Sequence, residues 1–287
     1  MVLHTGGDLG QLRWSLEPGI MAPLVLSGVL YGRGVVELRG RGRARALQAW
    51  EALSFAAGWT IVALALLSPL HDVSEQLFSA HMIQHELLMA LAAPLLVLGR
   101  PMMVMLWALP VRARHAVARV TRRRPVHNAW ELVTRPLHAW LIHGLTIWVW
   151  HLPWLYEATL HNETIHALQH ASFLGTALLF WWSVVHGQAR AARGMSIIYL
   201  FTTAVHTGVL GALMAFARAP WYPTYASGAA AWGFTPMSDQ QLAGLIMWIP
   251  ASVAYLIAAL AIMHHWLRDS EWSVSEQERE LTPATLR

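Results

Sequence analysis

Residues 76–98 read QLFSAHMIQHELLMALAAPLLVL, a 23-residue stretch with one acid, Glu86, and no Arg or Lys. A bilayer core needs about 20 mostly apolar residues per helix, so Gln76–Leu98 has the length and polarity of a membrane span. Working outward, further apolar runs cover about 20–31, 47–68, 137–152, 164–185, 195–217 and 242–267. The first is the weakest, since Gly32 and Gly34 blur its end. Pro69, Gly99 with Pro101, and Pro153 stop three of the others. In lipid the backbone must satisfy its own hydrogen bonds, which makes such runs helices. A β-barrel would instead show alternating segments of about ten residues. The expected fold is therefore an all-α integral membrane protein, a bundle of seven transmembrane helices.

Composition agrees. Of the 287 residues, 13% are Asp, Glu, Lys or Arg, against roughly a quarter in soluble domains. Mean hydropathy is +0.41. The chain has no Cys, which excludes disulfides, thiolate metal sites, Cys nucleophiles and iron–sulfur clusters. All 20 basic side chains are Arg. Without Lys there is no Schiff-base chemistry and no phosphate loop of the Walker type.

A pI near 9.9 raises the question of a nucleic-acid partner. The distribution of Arg answers it. Five lie between the first two runs (Arg33, Arg39, Arg41, Arg43, Arg45), and eight lie between the third and fourth, from Arg100 to Arg135. Arg190 and Arg193 precede the sixth run, and Arg268, Arg279 and Arg287 follow the seventh. Only Arg13 and Arg218 fall in the alternate segments. Arg marks the cytoplasmic side, so an N-out, C-in orientation is expected and no nucleic acid. No cleaved signal peptide is expected before the first run. Met102–Arg124 turns from apolar to basic and should lie at the cytoplasmic surface, against lipid phosphates. One membrane domain over residues 1–267 and a cytoplasmic polar tail over 268–287, only partly ordered, complete the organisation.

With sides assigned, the 16 His sort themselves. His71, His81, His85, His151, His161, His166, His170 and His206 fall on the outer side. His81/His85 and His166/His170 are each four apart, which puts both rings on one helix face. Two such faces could supply three or four nitrogens to one metal ion, with His151 and His71 within reach of the same mouth. Met82 and Met89 lie on or near the His81/His85 stripe, and Met214 and Met247 lie in the outer halves of their helices. Imidazole with thioether suits copper, whereas zinc has no use for Met. Taken singly, a helical His is more often a packing residue, and Met is usually core filler. Paired His on two membrane helices are harder to explain that way, because polar groups there are costly.

Three residues are expected as outer-shell groups besides His206. Glu86 can pair with a His or Arg of a neighbouring helix. Asp239 is expected as the N-cap of the seventh helix, with Gln240 beside it at the mouth. Haem is the competing cofactor. His138 and His151 are 13 apart, about 140° out of phase on one helix, so a two-haem pattern is not cleanly met; a single haem between helices stays open.

The residues Ser68-Pro69-Leu70, the run Leu77–Met89 with HMIQHE at its centre, and Ala93–Pro101 (APLLVLGRP) resemble the multi-span CtaG family of cytochrome c oxidase assembly factors. Trp148–Pro153, His166/His170 with Phe180-Trp181-Trp182, Trp221-Tyr222-Pro223 with Tyr225, and Asp239-Gln240-Gln241 follow in the order of that family. The resemblance covers the second to the seventh helix. It implies a bacterial cytoplasmic-membrane protein, not an enzyme, that helps deliver copper to a haem–copper oxidase. A single-span copper chaperone shares the family's name but carries Cys, which this chain lacks. The expected partners are a haem–copper oxidase subunit, an extracytoplasmic or periplasmic copper donor, and membrane lipids. A haem-binding or haem-transfer protein, a metal-free assembly scaffold and, more remotely, a transporter are the alternatives.

Overall fold

The computed structural model describes residues 14–42, 46–186 and 190–281. Arg13, Arg43, Arg45 and Arg287, counted above, lie outside them, as do the remaining residues of 1–13 and 282–287 in the expected domain and tail. The described residues are all helix and connecting turns. The long elements are α1 (Pro18–Gly40), α2 (Ala49–Leu67), the compound span of α4 (Phe78–Glu86) and α5 (Ala93–Leu98), α9 (Pro136–Trp150), α11 (Glu163–His186), α12 (Arg190–Ala215) and α14 (Pro236–Leu281). Shorter helices connect them: α3 (Leu70–Ser74), α6 (Pro101–Ala108), α7 (Val111–Thr121), α8 (Arg124–Thr134), α10 (Pro153–His161) and α13 (Ala226–Ala231).

Six of these elements are long and apolar enough to cross a membrane. The fourth run is shorter: α9 has 15 residues, or about 22 Å. The first run is longer than expected, because α1 continues past its glycines. Gly34 is where α1 crosses α6, and a Cβ there would lie 2.0 Å from the Val104 carbonyl oxygen. The seventh begins earlier than expected, at Pro236, and continues as helix through the polar tail to Leu281. The surface is apolar along these helices (Val25, Val29, Leu145, Phe201, Ile257), while His, Gln, Thr and Asp are buried between them. That inversion of the usual soluble pattern suits a lipid surround.

α14 packs along α12 through Gly211 and Gly244, each of whose absent Cβ leaves room for the other's carbonyl. Small residues at such crossings let helix backbones approach closely. α14 also packs on α4, and α11 on α5 and α9. α2 backs α5, and α1 rests chiefly on α6.

A π-helical turn, Leu87–Ala92, joins α4 to α5, and its cause is Pro94. Proline has no N–H and crowds the carbonyl one turn before it. The Ala93 N–H bonds five residues back to Leu88. In that register the next donor, for the Met89 carbonyl, would be Pro94, which has none. The Trp181 indole N–H of α11 fills the position, donating to the Met89 oxygen at 2.9 Å. The helix that carries His81 and His85 is thus tied to the helix that carries His166 and His170. Trp181→Phe leaves that buried carbonyl unpaired and should cost about 1–3 kcal/mol. The measurement is a lower unfolding temperature in detergent at unchanged helix content.

Candidate metal centre

His81 and His85 sit on α4, His166 and His170 on α11, His71 on α3, and His151 at the C-cap of α9. The structure brings all six into one continuous group. His81 and His85 touch through their Nε2 atoms at 2.9 Å. Ring centroids of His81 lie 5.2 Å from His166 and 5.5 Å from His170. His85 lies 5.2 Å from His170 and 6.5 Å from His151, and His71 stacks on His166 at 5.8 Å. His81, His85, His151, His170 and His71 are buried, and His166 is half-buried.

Ligand nitrogens of His81, His166 and His170 all lie within 4.8 Å of one another. Bonds of about 2.0–2.1 Å to a common ion require separations below roughly 4.2 Å, so small rotations of the rings suffice. The donor set fits a metal on a second ground. Buried nitrogens His85 Nδ1, His151 Nε2, His166 Nε2 and His170 Nε2 have no hydrogen-bond partner within the protein. His151 can be assigned fully: its Nδ1 lies 2.7 Å from the Ile147 carbonyl oxygen, which only accepts, so the proton is on Nδ1 and Nε2 presents a bare lone pair. A haem, by contrast, needs a slot between two imidazoles, and these rings are in contact with one another.

His81 is oriented by Tyr225, whose hydroxyl lies 3.1 Å from Nδ1 and donates to the Ser74 carbonyl at 3.2 Å. The hydroxyl can then accept the Nδ1 proton, which leaves Nε2 as the ligand atom. Ligating imidazoles commonly donate their other N–H in this way. Tyr225 belongs to an aromatic collar. Tyr156 bonds its hydroxyl at 3.1 Å, and Tyr222 donates to the His151 carbonyl at 2.8 Å. Phe78 packs edge-on against Tyr156 and Tyr222. Burial pushes all three phenols above their ordinary value, so they remain neutral hydrogen-bonding groups.

His71 is different in kind. The Gln84 amide donates to the Ala65 carbonyl at 2.7 Å and lies 3.3 Å from His71 Nδ1. As the amide donates to Nδ1, the His71 proton is on Nε2. That Nε2 lies 4.0 Å from carboxylate oxygens of both Glu17 and Glu75.

The expected outer-shell residues take distinct places. Asp239 does not cap its own helix; α14 starts three residues earlier, closed by mutual bonds of Thr235 and Ser238. Its carboxylate caps α4 instead, accepting from the Phe78 N–H at 2.8 Å and the Ser79 N–H at 3.0 Å. A carboxylate there also suits the positive end of that helix. Gln240 pins the α12–α14 connection, accepting from the Trp221 N–H and donating to the Met214 carbonyl. Glu86 is half-buried, and its electrostatic neighbour is Tyr255 of α14. No His or Arg pairs with it among the described residues. His206 lies against α9 instead, 5.9 Å from the Trp140 ring and with its Nε2 over Gly144. Met82, Met89, Met214 and Met247 are all buried in the main apolar core.

Sequence reasoning missed Gln84, Tyr156 and the role of Tyr225. Gln84 carried a signal: it is a polar residue of an apolar helix, directly before a site histidine. Tyr156 carried none, because its place depends on tertiary packing.

The sequence pattern of a family described as cytochrome c oxidase caa3 assembly factor matches residues 29–269. A relative in Mycobacterium leprae (strain TN), itself described as an uncharacterized protein, is 25% identical over 93% of this chain and 41% of its own length. The chain thus spans about two fifths of the length of that relative. No solved structure matches it.

Asp239→Ala strips the α4 start of its acceptors and should destabilise the protein by about 1–3 kcal/mol. Asp239→Asn, which keeps one acceptor, should fall between it and the parent in thermal unfolding.

Proposed function

The chain belongs to the cytochrome c oxidase caa3 assembly factor family, and we propose that it binds copper in the histidine group and hands it to a haem–copper oxidase subunit. As an assembly factor of this type it is not a catalytic enzyme. The observation that carries the copper reading is the convergence of His81, His166 and His170, with ligand nitrogens within 4.8 Å of one another beside buried nitrogens that lack partners. Imidazole binds copper well, and no thiolate is present to compete for a soft metal.

In this reading copper is cargo. His81, His166 and His170 are its first ligands. His85 and His151 offer neighbouring nitrogens to which the ion can shift, so transfer proceeds by ligand exchange with no covalent chemistry. The four methionines lie in the main apolar core, and the inner shell is nitrogen. A copper donor outside the cytoplasm would load the site.

The same reading sets the topology. α9 is the seventh span, the histidine group is at the outer face, and the orientation is N-out and C-in, in a bacterial cytoplasmic membrane. The distribution of charge supports this. Glu17 precedes α1 at one end, and Arg41 follows it at the other, about 34 Å away along 23 residues. Around Arg41 a basic groove gathers Arg114, Arg119, Arg122 and Arg123. That end would face cytoplasmic lipid phosphates. Residues 1–267 form one membrane domain, and 268–287 form its cytoplasmic tail.

Purified protein should bind cuprous ion, and His81→Ala with His170→Ala together should weaken it at least 100-fold while the protein still accumulates in the membrane. Oxidase activity in cells should fall in parallel. Full copper content and full oxidase activity in the double variant would overturn the proposal. Tyr225→Phe keeps the ring but removes the oxygen that orients His81, and should weaken copper by about 10–100-fold.

A further inference from the structure

We infer that the cleft between α1 and α11 is the entrance by which the copper cation reaches the histidine group, with Glu17, Glu75 and Glu163 as its capture carboxylates. The inference rests on the copper reading of that group. It adds a route, and residues that nothing above assigns to binding.

The cleft has a volume of about 550 Å³. His166 and His170 form part of its wall, and Glu17, Glu75, Glu163 and His71 also line it. The three carboxylates are exposed. His170 is buried, yet it lines the cleft, and its Nε2 has no hydrogen-bond partner within the protein. A cation captured at the rim therefore meets a wall that contains His166 and His170, whose Nε2 atoms have no partner within the protein.

Among the described residues, the other sides of the histidine group are covered. Tyr156, Tyr222, Tyr225 and Phe173 are buried against it, and Gly228 seats the α13 segment on the Gln76 carbonyl with no room for a Cβ. Of the convergent triad, the His166 ring, which lines the cleft, is the one not fully buried.

His71 organises the rim. Gln84 fixes its tautomer, and its Nε2–H points between Glu17 and Glu75 at 4.0 Å from each. Its ring stacks on His166, which connects the rim to the triad. Below the histidines the cleft is lined by Leu24, Trp59, Val62, Leu174 and Leu178. These offer a cation nothing, so the imidazoles are its destination. Among the described residues, no Arg lines the cleft. Carboxylates grouped at a low-dielectric cleft attract a cation and raise its on-rate. As hard oxygen ligands they do not retain a cuprous ion against imidazole. Their contribution is thus to rate more than to final occupancy.

The test is stopped-flow uptake of cuprous ion, supplied as its weak acetonitrile complex, by the purified full chain, with copper content measured at the end point. The triple variant Glu17→Gln, Glu75→Gln, Glu163→Gln should load about tenfold more slowly yet reach the parent's copper content. Rising salt should slow the parent and leave the triple variant nearly unchanged. Glu131→Gln, which removes a carboxylate on α8 away from the cleft lining, should load at the parent's rate. Loading of the triple variant at the parent's rate would overturn the entrance while leaving the copper site standing. Loss of copper content in it would make the carboxylates ligands and overturn their role as guides. A parent protein that takes up no copper would overturn the site and the entrance together.

Discussion

The protein buries imidazole nitrogens that its own chain does not satisfy. Four such nitrogens lie in one group on α4, α9 and α11, and an unpaired buried polar group costs about 1–3 kcal/mol. One cation can meet several of these lone pairs at once, which no single hydrogen-bond donor can do. The neighbouring features make sense as means of holding the rings in that arrangement. Asp239 reaches across from α14 to fix the start of α4. Trp181 ties the π turn below His85 to α11. Tyr225 orients His81 from the far side.

These ties come from helices distant in sequence, and that explains what the sequence discloses and what it hides. The two pairs His81/His85 and His166/His170 are legible because a four-residue spacing on a helix is a local fact. That the pairs face each other is tertiary, and only the packing of α11 against α5 and the π turn reveals it. His151 and His71 were placed at the same mouth by side alone. Gln84 holds the His71 Nδ1, and the His71 Nε2 lies 4.0 Å from carboxylate oxygens of both Glu17 and Glu75. Asp239 shows how a local rule goes astray. Its position near a helix start suggested a cap, and it is one, but for a helix 160 residues earlier in the chain. The methionines matched a copper pattern by type, and the structure packs them in the apolar core.

Helix boundaries follow the same logic. Run lengths located six spans well enough, but α1 continues through glycines that a hydropathy reading treats as an end, because Gly34 is a crossing point with α6. Pro94 inside an apolar run is the local origin of an irregularity. Its form, a π turn completed by an indole from another helix, depended on what stood opposite.

Charge is arranged along the bundle as clearly as polarity is arranged across it. Carboxylates gather at the histidine end of α1, and arginines gather at the other. The central claim is that the convergent imidazoles are a copper site. X-ray absorption of the copper-loaded protein tests it most directly. The account predicts a shell of nitrogens at about 2.0 Å with the multiple scattering of imidazole, lost when His81 and His170 are replaced. A thioether-dominated sulfur shell, or a copper spectrum indifferent to those two histidines, would contradict it.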